Sequence, residues 1–216
     1  MTKIFKAVIW DFGGVFTSSP FDAFARYEAE QGLPKDFIRT VNATNPLDNA
    51  WAKLEQSKVS GEEFDGLFRA ESKALGHEVP GADVLKLLSG SLRPRVVEAL
   101  KVCKQHGKVG CITNNAPIGK GASMTNDEKK AAELAHVFDQ FDHLIESSKI
   151  GIRKPDPRIY ALMCEALDVD PADCVYLDDL GINLKPARAM GMTTIKVLGE
   201  DQLLEDLKSA TGYAVV

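Results

Sequence analysis

The sequence predicts an α/β fold in which helices cover both faces of a parallel, five-stranded sheet. Five short apolar segments, rich in β-forming residues, alternate with helical segments along most of the chain. A long helical stretch without a convincing strand separates the first of these segments from the second. Because parallel neighbours need right-handed crossovers, usually helices, the alternation favours a parallel sheet with the long helical stretch inserted as a cap.

The first strand is predicted at Ala7-Val8-Ile9-Trp10, a continuously apolar run that is followed by Asp11-Phe12-Gly13-Gly14. A buried parallel strand that ends in a glycine turn has this pattern. From Ser19 to about Gly90 the apolar residues recur at helical spacing. Within that stretch, Ser60-Gly61-Glu62-Glu63 has the form of a capping box, and Gly76 lies where the helix that it opens should stop.

Strands and helices alternate again after Pro94. Helices are predicted at 95–106, 129–135, 157–167 and 184–190, and strands at 108–112, 143–146, 174–177 and 193–197. The segment 116–128 is rich in Gly, Ser, Asn and Lys and is predicted to be a loop. We therefore expect residues 1–16 and 93–216 to form the core and residues 17–92 to form an all-helical cap.

Composition excludes several classes of protein. The 216 residues suffice for one buried core and a small accessory unit. A formal net charge of -5 argues against a nucleic-acid binder, because such proteins need clustered Lys and Arg. No apolar run approaches the roughly 18 to 20 residues that span a bilayer, and the N-terminus is unlike a signal peptide. We expect a cytoplasmic protein, monomeric or homodimeric, that binds neither nucleic acid nor membranes.

The four cysteines and four histidines give no sign of a metal site. Cys103, Cys111, Cys164 and Cys174 lie singly in apolar segments without CxxC spacing, so we expect reduced core residues. The histidines, at positions 77, 106, 136 and 143, lack the spacing of metal ligands. In the helical stretch, Trp51, Phe64 and Phe68 are typical of a core, and Lys53 and Lys58 of a solvated surface.

Polar residues follow the predicted strands at their carboxyl ends, where open α/β sheets bind ligands. Asp11 follows the first strand, Thr113 the second, and Asp178-Asp179 the fourth, while Lys154 lies in Arg153-Lys154-Pro155-Asp156. Phosphoryl transfer needs an in-line nucleophile, with cations and hydrogen-bond donors around the transferred group. An Asp carboxylate can be that nucleophile, and Mg²⁺ prefers carboxylate oxygens such as those of Asp11 and Asp178.

Each of these residues also has an ordinary structural interpretation. An Asp or Thr after a strand is often a helix cap or turn residue, and a Lys is usually solvated. The order of the segments along the chain favours the functional interpretation. Adjacent carboxylates such as Asp178-Asp179 repel each other unless a cation compensates, which favours a metal site.

Four segments in order resemble the motifs of the haloacid dehalogenase-like hydrolase superfamily, most of whose members are phosphatases. Asp11-Phe12-Gly13-Gly14-Val15 resembles the first motif, Ile112-Thr113-Asn114-Asn115 the second, Lys154-Pro155 the third, and Leu177-Asp178-Asp179 with Asn183 the fourth. Residues 177–188 are also similar to the subgroup that contains the N-terminal phosphatase domain of mammalian soluble epoxide hydrolase. The resemblance covers nearly the whole chain and implies a Rossmann-like, three-layer core with an inserted helical cap.

The resemblance implies a phosphatase that acts on a small phosphorylated metabolite through an aspartyl phosphate. Asp11 is then the nucleophile, and Thr113 and Lys154 hold the oxygens of the phosphate. Gly13 and Asn114 complete the implied phosphate-binding residues.

The resemblance also implies Mg²⁺ as the cofactor. Its ligands are the carboxylates of Asp11 and Asp178 and the backbone carbonyl of Gly13. Asp179 and Asn183 are implied to orient the loop that carries Asp178.

Gly13 is the one serious departure from the family pattern. Family phosphatases usually carry a second Asp at this position, which protonates the leaving alcohol and later activates water. General acid-base catalysis of this kind contributes typically ~10² to 10⁴ in rate. Its absence should therefore slow the hydrolysis of alkyl phosphates more than that of esters with good leaving groups.

Gly13 leaves two alternatives open. The first is a dehalogenase, since dehalogenating relatives also lack the second Asp, although they work without metal and lack the acidic fourth motif. The second is a catalytically silent member that binds a phosphorylated ligand. A weaker variant, a phosphonate hydrolase, rests instead on Lys53 or Lys58, since it would need a cap lysine as Schiff-base donor.

Overall fold

A computed structural model describes residues 4–88, 90–119, 122 and 124–215 of the chain. The five strands form one parallel sheet with the order β3-β2-β1-β4-β5, which confirms the predicted fold class. The strands are β1 Ala7–Trp10, β2 Lys108–Thr113, β3 His143–Glu146, β4 Cys174–Asp178 and β5 Thr193–Lys196.

The helices fall into two groups. Between β1 and β2 lie α1 Pro20–Glu30, α2 Phe37–Ala43, α3 Ala50–Glu55, α4 Gly61–Ala74, α5 Gly81–Lys86 and α6 Pro94–His106. After β2 lie α7 Glu128–Phe138, α8 Ser147–Ile150, α9 Pro157–Leu167, α10 Gly181–Ala189 and α11 Glu200–Thr211, with a 3₁₀ turn at Pro171–Asp173. No helix in these described ranges is long and apolar enough to cross a membrane.

The central strand β1 is buried on both faces, as its continuous apolar sequence predicts. On one face Val8 and Trp10 pack in a cluster with residues of α6, α7 and α11. On the other face Ala7 and Ile9 pack with residues of α9 and α10. The sheet is therefore the middle of three layers.

Helices α1 to α5 enclose an apolar cluster of their own, centred on Phe24, Phe64 and Phe68. The two segments that join this helical insertion to the sheet run side by side. Thr17 and Leu92 form an antiparallel bridge, and the Ser18 amide donates to the Ser91 carbonyl at 2.8 Å. The division into a core of 1–16 and 93–216 and a cap of 17–92 stays a prediction.

Most predicted elements have the expected type, and the differences lie at their ends. The helix predicted at 184–190 begins three residues earlier, at Gly181, and the one predicted at 129–135 extends to Phe138. The capping box of α4 is confirmed, because Ser60 accepts from the Glu63 amide while the Glu63 carboxylate accepts from the Ser60 amide. Helix α11 was not predicted.

The core assignments are largely confirmed. The four cysteines are free and buried. Phe64 and Phe68 are fully buried. Of the loop predicted at 116–128, residues 120, 121 and 123 lie outside the described residues, as do residues 1–3 at the N-terminus and residue 216.

The packing of α9 on the sheet predicts the effect of a substitution at Gly110 in β2. A Cβ atom at this position would lie 2.5 Å from the Met163 sulfur and 3.0 Å from Leu167 Cδ1, both in the core. Because overpacking a dense core typically costs ~1 to 3 kcal/mol, Gly110→Ala should lower the free energy of unfolding by that amount. Urea denaturation measures it.

Gly66, in the exposed interior of α4, is the matched control. A Cβ atom there meets no described residue within 4 Å. Gly66→Ala should stabilise the protein by up to about 1 kcal/mol, because Ala has the higher helix propensity. Equal effects of the two substitutions would contradict the packing of α9 described here.

Candidate active site

The functional residues predicted from the sequence meet at the carboxyl edge of the sheet. In the register, Trp10 lies opposite Cys111 of β2 and Leu177 of β4. Asp11, which follows Trp10, therefore lies beside the ends of both neighbouring strands, and its amide donates to the Leu177 carbonyl at 2.8 Å. Thr113 ends β2 and Asp178 ends β4, and both are buried.

Lys154 lies at the centre of the site. Its Nζ atom is 2.7 Å from Asp11 Oδ1 and 2.9 Å from Asp178 Oδ2. The side chain is 1% exposed, so its charge is compensated by these two carboxylates rather than by water. The structure thus brings together Asp11, Lys154 and Asp178 as the sequence predicted, although their roles in a reaction stay predictions.

Asp178 is held by a dense set of donors. The Asn183 side-chain amide lies 3.0 Å from each of its carboxylate oxygens, and the Leu180 backbone amide donates to Oδ1 at 2.7 Å. The Tyr176 hydroxyl donates to Oδ2. The sequence did not identify Tyr176, whose only signal is that it precedes Asp178 by two residues and so shares its face of β4.

Asp179 packs against the glycine turn that follows β1. Gly14 has a φ of +73°, and a Cβ atom there would lie 2.2 Å from Asp179 Oδ2. The turn thus requires glycine at this position, both for its backbone conformation and for the space that Asp179 fills.

Asp11, Asp178 and Asp179 form a candidate cation site. One carboxylate oxygen from each lies within 4.8 Å of the others. Oxygens on opposite sides of an octahedral Mg²⁺ lie about 4.1 Å apart, twice a bond of about 2.0 to 2.1 Å, so the upper limit of 4.8 Å is close to that separation. Hard carboxylate oxygens are the donors that Mg²⁺ prefers, and they fit that ion.

Burial sets the protonation of these groups. It raises the pKa of Asp11 well above its ordinary value; Lys154 opposes this shift, while Asp178 and Asp179 add to it. Burial lowers the pKa of Lys154, but the Asp11 and Asp178 carboxylates outweigh it, so the net shift is upward and the ammonium stays charged. Burial and the Asp178 charge raise the pKa of Asp179 to about 6.

Asn114 fixes the backbone of Lys154. Its side-chain oxygen accepts from the Lys154 amide at 2.9 Å, and its side-chain nitrogen donates to the Lys154 carbonyl at 3.0 Å. The Asn114 side chain therefore holds the lysine loop in place. Its predicted contact with phosphate stays a prediction.

Gly13 is exposed beside Asp11, and a Cβ atom there would meet nothing within 4 Å among the residues that the structure describes. The space that a second aspartate would occupy in this turn is thus open. The predicted roles of Gly13 in binding phosphate and metal stay predictions.

A cavity of about 440 Å³ lies between the carboxyl edge of the sheet and the helical insertion. Its polar floor includes Asp11, Thr113 and Lys154. Its walls are mostly apolar and include Phe21, Phe24, Trp51, Leu54, Leu88 and Met124. Trp51, which was expected in a core, is half-buried: it packs against the apolar cluster of the insertion and also lines the cavity.

Two lysines of the insertion lie apart from this cavity. Among the described residues that line it, neither Lys53 nor Lys58 occurs. Lys53 pairs instead with Asp48 at 3.6 Å, and Lys58 is exposed.

Sequence reasoning missed Glu55 and Arg153, which also line the cavity. Glu55 Oε2 lies 2.5 Å from Arg153 Nε, and Glu55 Oε1 accepts from the Trp51 indole at 2.8 Å. Burial raises the pKa of Glu55, and Arg153 opposes that shift. A charged residue at the end of an amphipathic helix gives no signal in the sequence that it is buried.

Comparison with known proteins gives a family match. The family described as haloacid dehalogenase-like hydrolase matches residues 5–191. The chain is 31% identical to bifunctional epoxide hydrolase 2 of Mus musculus over 96% of its own length and 39% of that protein. The chain thus spans about two fifths of that relative. It is 26% identical to sesquiterpene phosphatase astK of Aspergillus oryzae, over 98% of the chain and all of that protein.

Solved structures share the fold. A HAD family enzyme from Bacteroides thetaiotaomicron, in complex with magnesium and inorganic phosphate, gives a TM-score of 0.59 at 18% identity, covering 91% of this chain and 96% of that one. L-2-haloacid dehalogenase from Xanthobacter autotrophicus gives 0.60 at 22% identity, covering 96% and 84%. At these identities the likeness shows the fold alone.

The raised pKa of Asp179 predicts a pH-dependent difference between the wild type and Asp179→Asn. In the metal-free folded protein the group titrates near 6, above its ordinary value of 3.8. Between these values the folded state retains a proton that the unfolded state releases, so stability contributed by this group falls as pH rises from about 4 to 6. Asp179→Asn has no carboxyl group at this position and so does not lose this stability. The free energy of unfolding of the variant should therefore increase relative to that of the wild type as pH rises across this window.

Urea denaturation in the presence of a chelator, at several pH values, measures the difference. It should be small at pH 4 and constant above about pH 7. A difference that stays constant over the whole range would show that Asp179 titrates normally.

Proposed function

The chain belongs to the haloacid dehalogenase-like hydrolase family, and we propose that it is a Mg²⁺-dependent phosphatase that hydrolyses a small phosphate ester through an aspartyl phosphate. One observation carries this proposal. At the polar floor of a cavity, a buried lysine ammonium joins Asp11 to Asp178, which are two of the three carboxylates in the candidate cation site. Phosphoryl transfer needs such an arrangement of nucleophile and compensating charge.

In the proposed reaction, an Asp11 carboxylate oxygen forms a bond to phosphorus while the bond from phosphorus to the ester oxygen breaks. Lys154 and Thr113 hold the other phosphate oxygens and stabilise the charge on them. Water then attacks phosphorus, releasing inorganic phosphate and restoring Asp11. Because residue 13 is glycine, the leaving oxygen takes its proton from water rather than from a side chain at this position.

The carboxylates of Asp11 and Asp178, with the Gly13 carbonyl, are the residues that would hold Mg²⁺. Bound there, the ion would supply positive charge that offsets the repulsion between the phosphate and the Asp11 carboxylate. Asn183, Tyr176 and the Leu180 amide keep Asp178 in one orientation, and Asp179 lies against the glycine turn.

The apolar walls of the cavity favour a phosphate ester with an apolar body. Phe21, Phe24, Trp51 and Leu54 all come from the helical insertion and face the polar floor. We propose that the insertion, residues 17–92, is a cap that excludes water and selects the leaving group. Similarity to a protein named as a sesquiterpene phosphatase supports this substrate class.

A dehalogenase remains the second candidate only because Gly13 leaves the acid-base position empty. The carboxylate cluster argues against it, since a metal site is unnecessary for carbon attack by Asp11. Release of chloride from 2-chloropropionate without release of phosphate from any ester would favour this second function.

The nucleophilic role of Asp11 predicts loss of activity in Asp11→Asn. The amide is a poor nucleophile, so phosphate release from p-nitrophenyl phosphate should fall to background. Asp22→Asn removes an exposed carboxylate that does not line the cavity and should retain full activity. Undiminished turnover in Asp11→Asn would refute the mechanism.

Thermal unfolding of the wild type and of Asp178→Asn measures Mg²⁺ binding. The ion should raise the Tm of the wild type, because a ligand that binds the folded state stabilises it. It should fail to do so in Asp178→Asn. An equal shift in both proteins would place the ion elsewhere.

The open space at Gly13 predicts that Gly13→Asp gains activity. The new carboxyl group has room beside Asp11 and can protonate the leaving oxygen. Turnover of an alkyl phosphate should rise by about 10² to 10⁴, the usual contribution of general acid-base catalysis, and turnover of p-nitrophenyl phosphate should rise less.

Gly13→Asn is the control, because its amide has a similar size and carries no transferable proton. The ratio of alkyl to p-nitrophenyl phosphate turnover is the quantity to compare. A ratio that is the same in Gly13→Asp and Gly13→Asn would contradict the interpretation of Gly13 as a missing acid.

A further inference from the structure

Glu55 is a buried carboxylate at the end of α3, in the helical insertion, and its side chain is 9% exposed. Within the described part of the chain it contacts three side chains. Trp51 belongs to the same helix, whereas Arg153 and Asn114 belong to loops at the carboxyl edge of the sheet. The distance from Asn114 Nδ2 to Glu55 Oε2 is 3.3 Å. Glu55 thus connects the insertion to the polar floor of the cavity.

Arg153 makes a second contact with the insertion. One of its guanidinium nitrogens donates to the Pro46 carbonyl at 2.9 Å, in the segment between α2 and α3. Nearby, the Ser57 hydroxyl donates to the Ser148 carbonyl. These contacts gather on one side of the cavity, where the insertion meets the loop that precedes Lys154.

A short path of contacts leads from Glu55 to the proposed nucleophile. Asn114 contacts Glu55 and holds both backbone groups of Lys154, and Arg153 is the residue immediately before Lys154. The Lys154 ammonium in turn contacts Asp11. A movement of the insertion away from this floor therefore has to break the Glu55 contacts or move the lysine loop with them.

Because the Glu55–Arg153 ion pair is buried, losing one of its partners should cost free energy. Removing one partner leaves the other charge buried and uncompensated, which is strongly destabilising. The Arg153 side chain is only 16% exposed, so water compensates it poorly while the insertion is closed. Opening of the insertion would expose Arg153 to water. Opening should therefore become more favourable when residue 55 carries no charge, as in Glu55→Gln.

We propose that Glu55 is a positioning residue that couples closure of the insertion to the position of Lys154, through its ion pair with Arg153 and its contact with Asn114. The expected effect of Glu55 on kcat rests on the proposed phosphatase function. Its expected effect on closure of the insertion does not, so these two expectations can fail separately.

Closure is measured by acrylamide quenching of tryptophan fluorescence in the protein without substrate. The chain has two tryptophans, and Trp10 is fully buried in the core, so a change in quenching reports Trp51 at the cavity. Glu55→Gln should increase quenching. Because Glu55 contacts Trp51 directly, Arg153→Gln is the second variant; it breaks the pair from the other side and should increase quenching as well.

Glu28→Gln is the matched control. Glu28 is also a buried carboxylate of the insertion, but its hydrogen bonds go to the Asp36 and Ile38 amides, within the insertion. Quenching at Trp51 should stay at the wild-type level in this variant, whatever stability it loses. If Glu55→Gln fails to fold, the quenching of Arg153→Gln provides the test instead.

The kinetic arm uses p-nitrophenyl phosphate with Mg²⁺. Misplacing a catalytic group by about 1 Å can lower the reaction rate ~10²-fold. We therefore expect kcat of Glu55→Gln to fall about 10- to 100-fold, with a smaller change in KM. Glu28→Gln should keep the wild-type kcat. Unchanged quenching in Arg153→Gln, or unchanged kcat in a folded Glu55→Gln, overturns the proposal. If the wild type releases no phosphate, the proposed function fails and quenching alone decides whether Glu55 holds the insertion closed.

Discussion

The Lys154 ammonium lies buried between the carboxylates of Asp11 and Asp178, and the arrangement of the surrounding site depends on this contact. A buried cation without partners costs many kcal/mol, so the lysine and the two carboxylates must be assembled together. Asn114 fixes the backbone of the lysine, and Asn183 and Tyr176 fix one of its carboxylate partners. The polar floor of the cavity is thus one connected network rather than a set of separate residues.

The parallel sheet explains how residues so distant in sequence reach this network. With β1 between β2 and β4, the strand ends place Asp11, Thr113 and Asp178 along one edge. The glycine turn after β1 leaves room for Asp179. The helical insertion supplies the apolar walls above this floor, so one cavity combines a charged end that suits phosphate with an apolar end that suits an organic leaving group.

The strands and the polar residues at their ends could be predicted from the sequence, because buried parallel strands are continuous apolar runs and their carboxyl ends converge. The burial of Glu55 could not, since it depends on a partner 98 residues away. Tyr176 looks like any other β-forming residue until its hydroxyl meets Asp178. Helix α11 was missed although Leu203, Leu204 and Leu207 give it a buried face.

The nucleophilic role of Asp11 is the central claim, and trapping of the covalent intermediate tests it most directly. The protein is mixed with a phosphate ester and Mg²⁺, quenched in acid during turnover, digested and examined by mass spectrometry. The peptide that contains Asp11 should gain the mass of one phosphoryl group, located on that side chain. A phosphoryl group on Thr113 or another residue, or turnover without any modified peptide, would contradict the claim.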